Sequence, residues 1–260
     1  MYAGASVCAL PAVLGSRVAA RRAAVGLAVG AWVCHLVSFL ETLVAAHRLI
    51  PVGMHEVQST LSLLIASAFL VIVAVYQTVS FGIFALPLAF LLALPSALGP
   101  DQYTFSSPLV RGGWIFIHVT ALLAADAAMI FSLLASLLYL LQERRLKDKQ
   151  RPRFLAWLPP LETMDRIAQT ALVFGFACMT VGLFVGSFIA QEKVGSAYFL
   201  DPKVLLSFAM WVLYMVMLWV RRSTGLRGRR AIFWSSTVVL LMLSVWAANL
   251  LSSVHRFGQP

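Results

Sequence analysis

The sequence predicts an all-α fold, a polytopic bundle of membrane helices, and three observations predict it. Of 260 residues, 61% are hydrophobic and 12% are charged, where a soluble domain carries about 25% charged residues. The apolar residues come in long runs, and about 20 in a row cross the ~30 Å hydrocarbon layer as a helix. The basic residues gather between those runs. The net charge of +10 would suggest nucleic acid in a soluble protein. Here its clustering in inter-span loops follows the positive-inside rule instead. The expected partner is the lipid bilayer, with no nucleic acid.

Eight spans are expected, in one integral-membrane domain over residues 1–260. Residues 1–16 make a weak first span containing Pro11. A secretory signal carries its charges ahead of the apolar core, but Arg17, Arg21 and Arg22 follow it. The segment therefore reads as a span with its N-terminus outside. The second span, 23–46, holds His35 and Glu41, and Gly26 and Gly30 form a small-xxx-small pair for close helix approach. His47, Arg48, His55 and Glu56 follow in a loop. Spans three and four cover 57–76 and 81–98, the latter with Pro87 and Pro95 as tolerated kinks. After a Ser-rich loop comes a long fifth span, 109–141. Pro152, Pro159 and Pro160 end any helix in the basic segment 142–161. Span six, 167–190, carries a second glycine pair, Gly182 and Gly186; spans seven and eight cover 204–220 and 231–253. Cys8, Cys34 and Cys178 are scattered, with no CxxC, and read as small buried hydrophobes.

Sidedness follows from the basic residues. With the segments after spans one, five and seven inside, fifteen of the twenty Lys and Arg lie there. Both termini and residues 191–203 are then outside. Counting rise along each helix gives depth. Asp126 lies about 22 Å above Leu141 and His35 about 20 Å above Arg22, so the two share a level in the outer half. His118 and His255 lie at the outer rim. An ionisable group inside a membrane needs a partner. For Asp126 that is His35, or a Ser, Thr or Tyr hydroxyl on a neighbouring helix. For His118 and His255 the alternatives are a ligand site and simple interfacial hydration. His47 and His55 read as solvated loop residues. Two spans return the chain to the side it left, so the polar loop 195–203 and His255 share one face, the best placed for a ligand.

Several stretches resemble the cytochrome c assembly family of haem-handling membrane proteins, the CcsA-like group with its HemX-like and YpjD-like relatives. They are Trp114-Ile-Phe-Ile-His118-Val-Thr, Leu158-Pro-Pro-Leu-Glu162 with Asp165 and Gly175, and Asp201-Pro202-Lys203. Trp211-Val-Leu-Tyr214, Gly228-Arg-Arg230 and Asn249-Leu-Leu-Ser-Ser-Val-His255-Arg-Phe-Gly complete the set. The likeness is clearest from 114 to 258. It implies that His118 and His255 ligate the iron of a haem (heme) group at the outer face, over the loop holding Tyr198, Asp201 and Lys203. Asp201 and Lys203 would shape the loop or meet the haem propionates, and His35 is a weaker candidate for contact with the cofactor. The chain departs from the family where Val194, Tyr198 and Leu200 replace three tryptophans, where Trp219 replaces a second membrane histidine, and where Asp126 replaces a tyrosine. The resemblance implies cytochrome c biogenesis or haem handling in a bacterial inner (cytoplasmic) membrane, by an assembly factor rather than a competent synthase. Apocytochrome c and other assembly proteins are the implied partners. The alternative is a HemX-like or YpjD-like regulator or partner subunit that binds no haem.

Overall fold

A computed structural model describes residues 1–14, 18–45, 54–99, 113–147, 158–194, 199–225 and 229–248. They form eight helices: α1 (Tyr2–Leu14), α2 (Val18–Ala45), α3 (Met54–Tyr76), α4 (Gly82–Leu98), α5 (Gly113–Lys147), α6 (Leu161–Val194), α7 (Pro202–Thr224) and α8 (Arg229–Ala248). Six are long and apolar enough to cross a membrane; α1 and α4 are shorter. The protein is a multi-pass membrane helix bundle. Large apolar side chains such as Phe184, Phe188, Trp219 and Phe233 stay exposed on the bundle surface, where lipid rather than protein covers them.

The stretch 195–255 looks central in sequence, but α5 is central in the structure. It packs along α6 and also touches α3 and α8. Two apolar cores meet on it. Leu123, Ala127 and Phe131 join Ile65 and Phe69 of α3 and Leu86 of α4. Ala125 and Met129 turn the other way, onto Leu172, Met210, Tyr214 and Val238. The long fifth span is thus buried by protein on both sides, which explains why so few charges interrupt it.

Helix ends differ from the hydropathy limits for local reasons. α6 begins at Leu161, six residues before the apolar run. Pro160 cannot donate an amide, yet its carbonyl accepts Met164 N–H at 3.2 Å and opens the first turn. Glu162 and Arg166 pair across that turn at 3.1 Å. α2 likewise begins before Arg21, which donates to the Gln77 carbonyl at 2.8 Å where α3 ends in a left-handed residue (φ 55°). Tyr76 reaches Thr170 at 3.5 Å, and Arg221 binds the Asp165 carboxylate at 2.6 Å and its carbonyl at 3.1 Å. These contacts gather the basic helix ends of α2, α6 and α7 at one end of the bundle, as the charge count requires.

One packing expectation needs correction. Gly26 faces open space, and Gly30 meets only the Met1 side chain. The close face of α2 is Ala24, Ala28 and Ala31, against Ala5 and Ala9 of α1. Methyl groups suffice for this approach, so the glycines were free to point elsewhere. On α6 the second pair does serve contact, as the site shows.

Candidate functional site

His118 stands in the second turn of α5, at the end of the bundle away from the basic helix ends. Its Nδ1–H donates to the Gly182 carbonyl at 2.7 Å. A carbonyl only accepts, so the proton sits on Nδ1 and the neutral ring keeps its lone pair on Nε2. That nitrogen makes no hydrogen bond among the described residues. Two glycines make the geometry possible. A Cβ at Gly186 would collide with the His118 ring, and one at Gly182 would stand 2.7 Å from the Leu122 side chain. Histidines that bind metal are oriented in this way, one nitrogen tied to a carbonyl and the other left basic.

Asp201, Pro202 and Lys203 have separable tasks. Asp201 caps α7, its Oδ1 accepting Lys203 N–H at 2.9 Å, and Pro202 holds the first helical position. Asp201 is 4% exposed, so its carboxylate is a structural group. Lys203 is left to interact with the site. Its ammonium has no hydrogen bond or ion pair among the described residues.

Asp126 lies deeper on α5. Its Oδ2 accepts the indole N–H of Trp246 on α8 at 3.0 Å. The Tyr214 hydroxyl is fully buried near Asp126, over Gly175, with no hydrogen-bond partner among the described residues. Phe176 stacks on Trp211 with centroids 5.8 Å apart, and Trp211 donates to Thr180 at 2.9 Å. These groups pack α6 against α7. At the α7 entrance, Phe199 leans on Phe208 with centroids 6.4 Å apart, and Leu200 is 78% exposed.

His35 does not meet Asp126. Its Nε2 shares a hydrogen bond with the Ser59 hydroxyl at 2.8 Å, and its Nδ1 one with the Tyr2 hydroxyl at 3.3 Å. The pairing expected from equal depth is therefore replaced by two separate ones. α2 packs against α1 and α3, whereas the Asp126 face of α5 turns toward α8. Rise counting fixes height and leaves rotation open. The same count would have nominated Trp246, about 24 Å above Arg230 and level with Asp126. Reading only hydroxyls as donors missed the indole. Tyr2 and Ser59 were missed because neither carries a charge at neutral pH. His255, Tyr198 and His47 lie outside the described residues, so the expected convergence of His118 and His255 does too. Among the described residues no three His, Cys, Asp or Glu side chains gather as a metal site.

Comparison with known proteins places these residues in a wider context. Residues 27–255 match the model of the family described as Cytochrome C assembly protein. The chain is 30% identical over 155 residues to Protein HemX of Bacillus subtilis, covering 59% of this chain and 56% of that protein. It is 28% identical over 195 residues to the cytochrome c biogenesis protein CcsA of Prochlorococcus marinus, covering 64% and 62% respectively. A 28.8 kDa protein of Azospirillum brasilense is 33% identical over 129 residues, 48% of each chain. The chain thus spans about three fifths of the length of the HemX and CcsA relatives it matches.

Proposed function

The chain belongs to the cytochrome c assembly protein family, and from that premise we propose that it serves cytochrome c biogenesis by holding haem at the outer face of a bacterial cytoplasmic membrane. In this reading His118 and His255 would hold the haem iron. The observation that carries it is the His118 tautomer. With Nδ1–H spent on Gly182, the Nε2 lone pair is the only ring position left to bind, and imidazole suits iron. Lys203, an ammonium without a partner among the described residues, suits the two carboxylates of haem. Asp201 contributes by capping α7 and so placing Lys203. Tyr198, Phe199 and Leu200 supply an apolar surface for the macrocycle. Bound there, haem supplies an iron centre for ligation and one-electron chemistry. Apocytochrome c and other assembly membrane proteins are the partners this role implies.

His35 has a lesser part. Tyr2 and Ser59 occupy both its nitrogens, and Trp219 is 70% exposed on the outer surface of α7. Both observations favour one haem at the outer face over a second one within the membrane, and an assembly factor over a competent synthase. The replacement of tryptophans at 194, 198 and 200 favours the second reading, a HemX-like regulator or partner subunit that binds no haem.

An optical spectrum separates the two. Protein produced with ample haem and purified in detergent should show a low-spin bis-histidine spectrum. His118→Ala and His255→Ala should each abolish it, and His47→Ala should leave it intact. A haem-free wild type, or retention of the spectrum by both mutants, would make the regulator the better account.

A further inference from the structure

The two cores are built from different side chains. The core that joins α5 to α3 and α4 holds one methionine, Met164, among twenty-three buried residues. In the core that joins α5 and α6 to α7 and α8, five of the ten are methionine. Four of these come one from each helix: Met129 of α5, Met179 of α6, Met210 of α7 and Met242 of α8. Counted from Leu141, Asp165, Arg221 and Arg230, they stand about 17–21 Å up their helices, so they form one layer across all four. Methionine is unbranched and refills a gap whose shape changes, where stiffer side chains specify one arrangement.

The ties across this core are unevenly placed. α5 and α6 are locked along their length. His118 donates to Gly182 near the outer end, and Ser132 donates to the Ala168 carbonyl at 3.1 Å toward the inner end. Between them a Cβ at Gly175 would stand 3.1 Å from Ala128. α7 is anchored to α6 at its inner end, by Arg221 on Asp165. Above that anchor two indoles reach across. Trp211 of α7 donates to Thr180 at 2.9 Å, and Trp246 of α8 donates to Asp126 at 3.0 Å. α7 and α8 follow one another directly and pack together.

We infer that α7 and α8 swing as a pair against α5 and α6, about the Arg221–Asp165 contact. The methionine layer repacks as they move, and the two indoles latch the closed form. From Arg221 to Lys203 the arm is about 27 Å, so a tilt of about 10° carries the outer end of α7 by about 5 Å. That end bears Phe199, Leu200 and Lys203, while the fixed pair bears His118. The swing changes the separation of these two groups. Its use, admitting and releasing a ligand as broad as haem, rests on the haem-site reading; the motion itself does not.

Spin labels read the motion in the full chain in bilayer nanodiscs, in a variant lacking Cys8, Cys34 and Cys178. Phe184→Cys with Leu205→Cys spans α6 and α7, and Trp114→Cys with Phe184→Cys spans α5 and α6; all three positions are exposed. The α6–α7 pair should show two distance populations about 5 Å apart, and the α5–α6 pair one. Trp246→Phe removes a latch. It should raise the longer α6–α7 population about fivefold, the equivalent of one hydrogen bond, and leave the α5–α6 pair unchanged. Replacing the four layer methionines by leucine, a swap close in volume, should merge the α6–α7 populations into one. A single α6–α7 distance that Trp246→Phe leaves unchanged would overturn the inference. So would an equal effect of Trp246→Phe on both pairs, or two populations that persist in a folded leucine variant. If the leucine variant does not fold, the Trp246→Phe comparison decides alone. Haem added to the wild type should shift the balance of the α6–α7 populations, and haem that binds without a shift would overturn the use assigned to the motion. A wild type that binds no haem would remove the haem-site reading and leave the distances to decide this inference by themselves.

Discussion

At Gly186 a single methyl group decides whether His118 can occupy its place. The imidazole lies where a Cβ would project, and its Nδ1–H reaches a carbonyl one turn back on the same helix. Gly186→Ala should therefore displace the ring or push α5 and α6 apart. We expect a loss of about 1–3 kcal/mol in thermal unfolding, the usual cost of overpacking, together with a weakened haem spectrum. Gly26→Ala, which meets nothing within 4 Å, should be neutral in both measurements and serves as the control. Trp246 makes a second residue-scale prediction. Trp246→Phe keeps most of the ring but leaves a buried carboxyl without its donor, which should cost about 1–3 kcal/mol, read in the same unfolding experiment. Asp126→Asn should suppress most of that penalty, because a neutral amide is cheaper to leave unpaired than a carboxylate.

Among elements, α7 owes its position to its ends. Asp201 and Pro202 start it, and Gly225, left-handed at φ 62°, stops it with its N–H on the Arg221 carbonyl. Because Asp201 acts as a cap, Asp201→Ser or Asp201→Asn should retain both stability and haem absorption. Asp201→Ala should lose about 1 kcal/mol and lower haem occupancy by letting Lys203 fray. A direct ligand role would instead make serine as damaging as alanine, and a stability series in detergent separates the two. At the other end, Arg221 is 6% exposed and tied to Asp165 on α6. Removing one partner of a buried pair strands the other, typically at about 3–5 kcal/mol. Asp165→Ala should therefore lower the unfolding midpoint far more than Glu162→Ala, whose pair with Arg166 is exposed.

For the whole molecule, the testable property is orientation. α5 carries Trp114, 67% exposed, in its first turn and ends at Lys147, beyond the last apolar turn. The basic count assigns Lys147 to the cytoplasm and Trp114 to the outer face. In a variant lacking Cys8, Cys34 and Cys178, a cysteine at 114 should react with an impermeant maleimide in intact cells, and one at 147 only after lysis. The reverse pattern would invert the bundle and move His118, Asp126 and Lys203 away from the compartment where cytochrome c is assembled.

The sequence by itself determined the class of fold and its eight helices, and it sets an expected level for each polar residue. Hydropathy, basic clustering and helical rise all act along one coordinate, the membrane normal, and one coordinate is what a linear sequence encodes directly. It also singled out Gly182, Gly186, His118 and Asp201-Pro202-Lys203 before any contact was known. Only the tertiary structure decided rotation and neighbourhood. His35 and Asp126 are expected at one depth, yet α2 turns one toward Tyr2 and Ser59 while α5 turns the other toward Trp246. Gly26 and Gly182 look alike in sequence, yet one faces open space and the other a packed leucine. Asp201 is expected from the resemblance to shape its loop or meet the cofactor, and its geometry is that of a helix cap. In each case the choice depends on how helices far apart in sequence rotate against one another to fill their shared core, an energy set by many side chains at once and written at no single position.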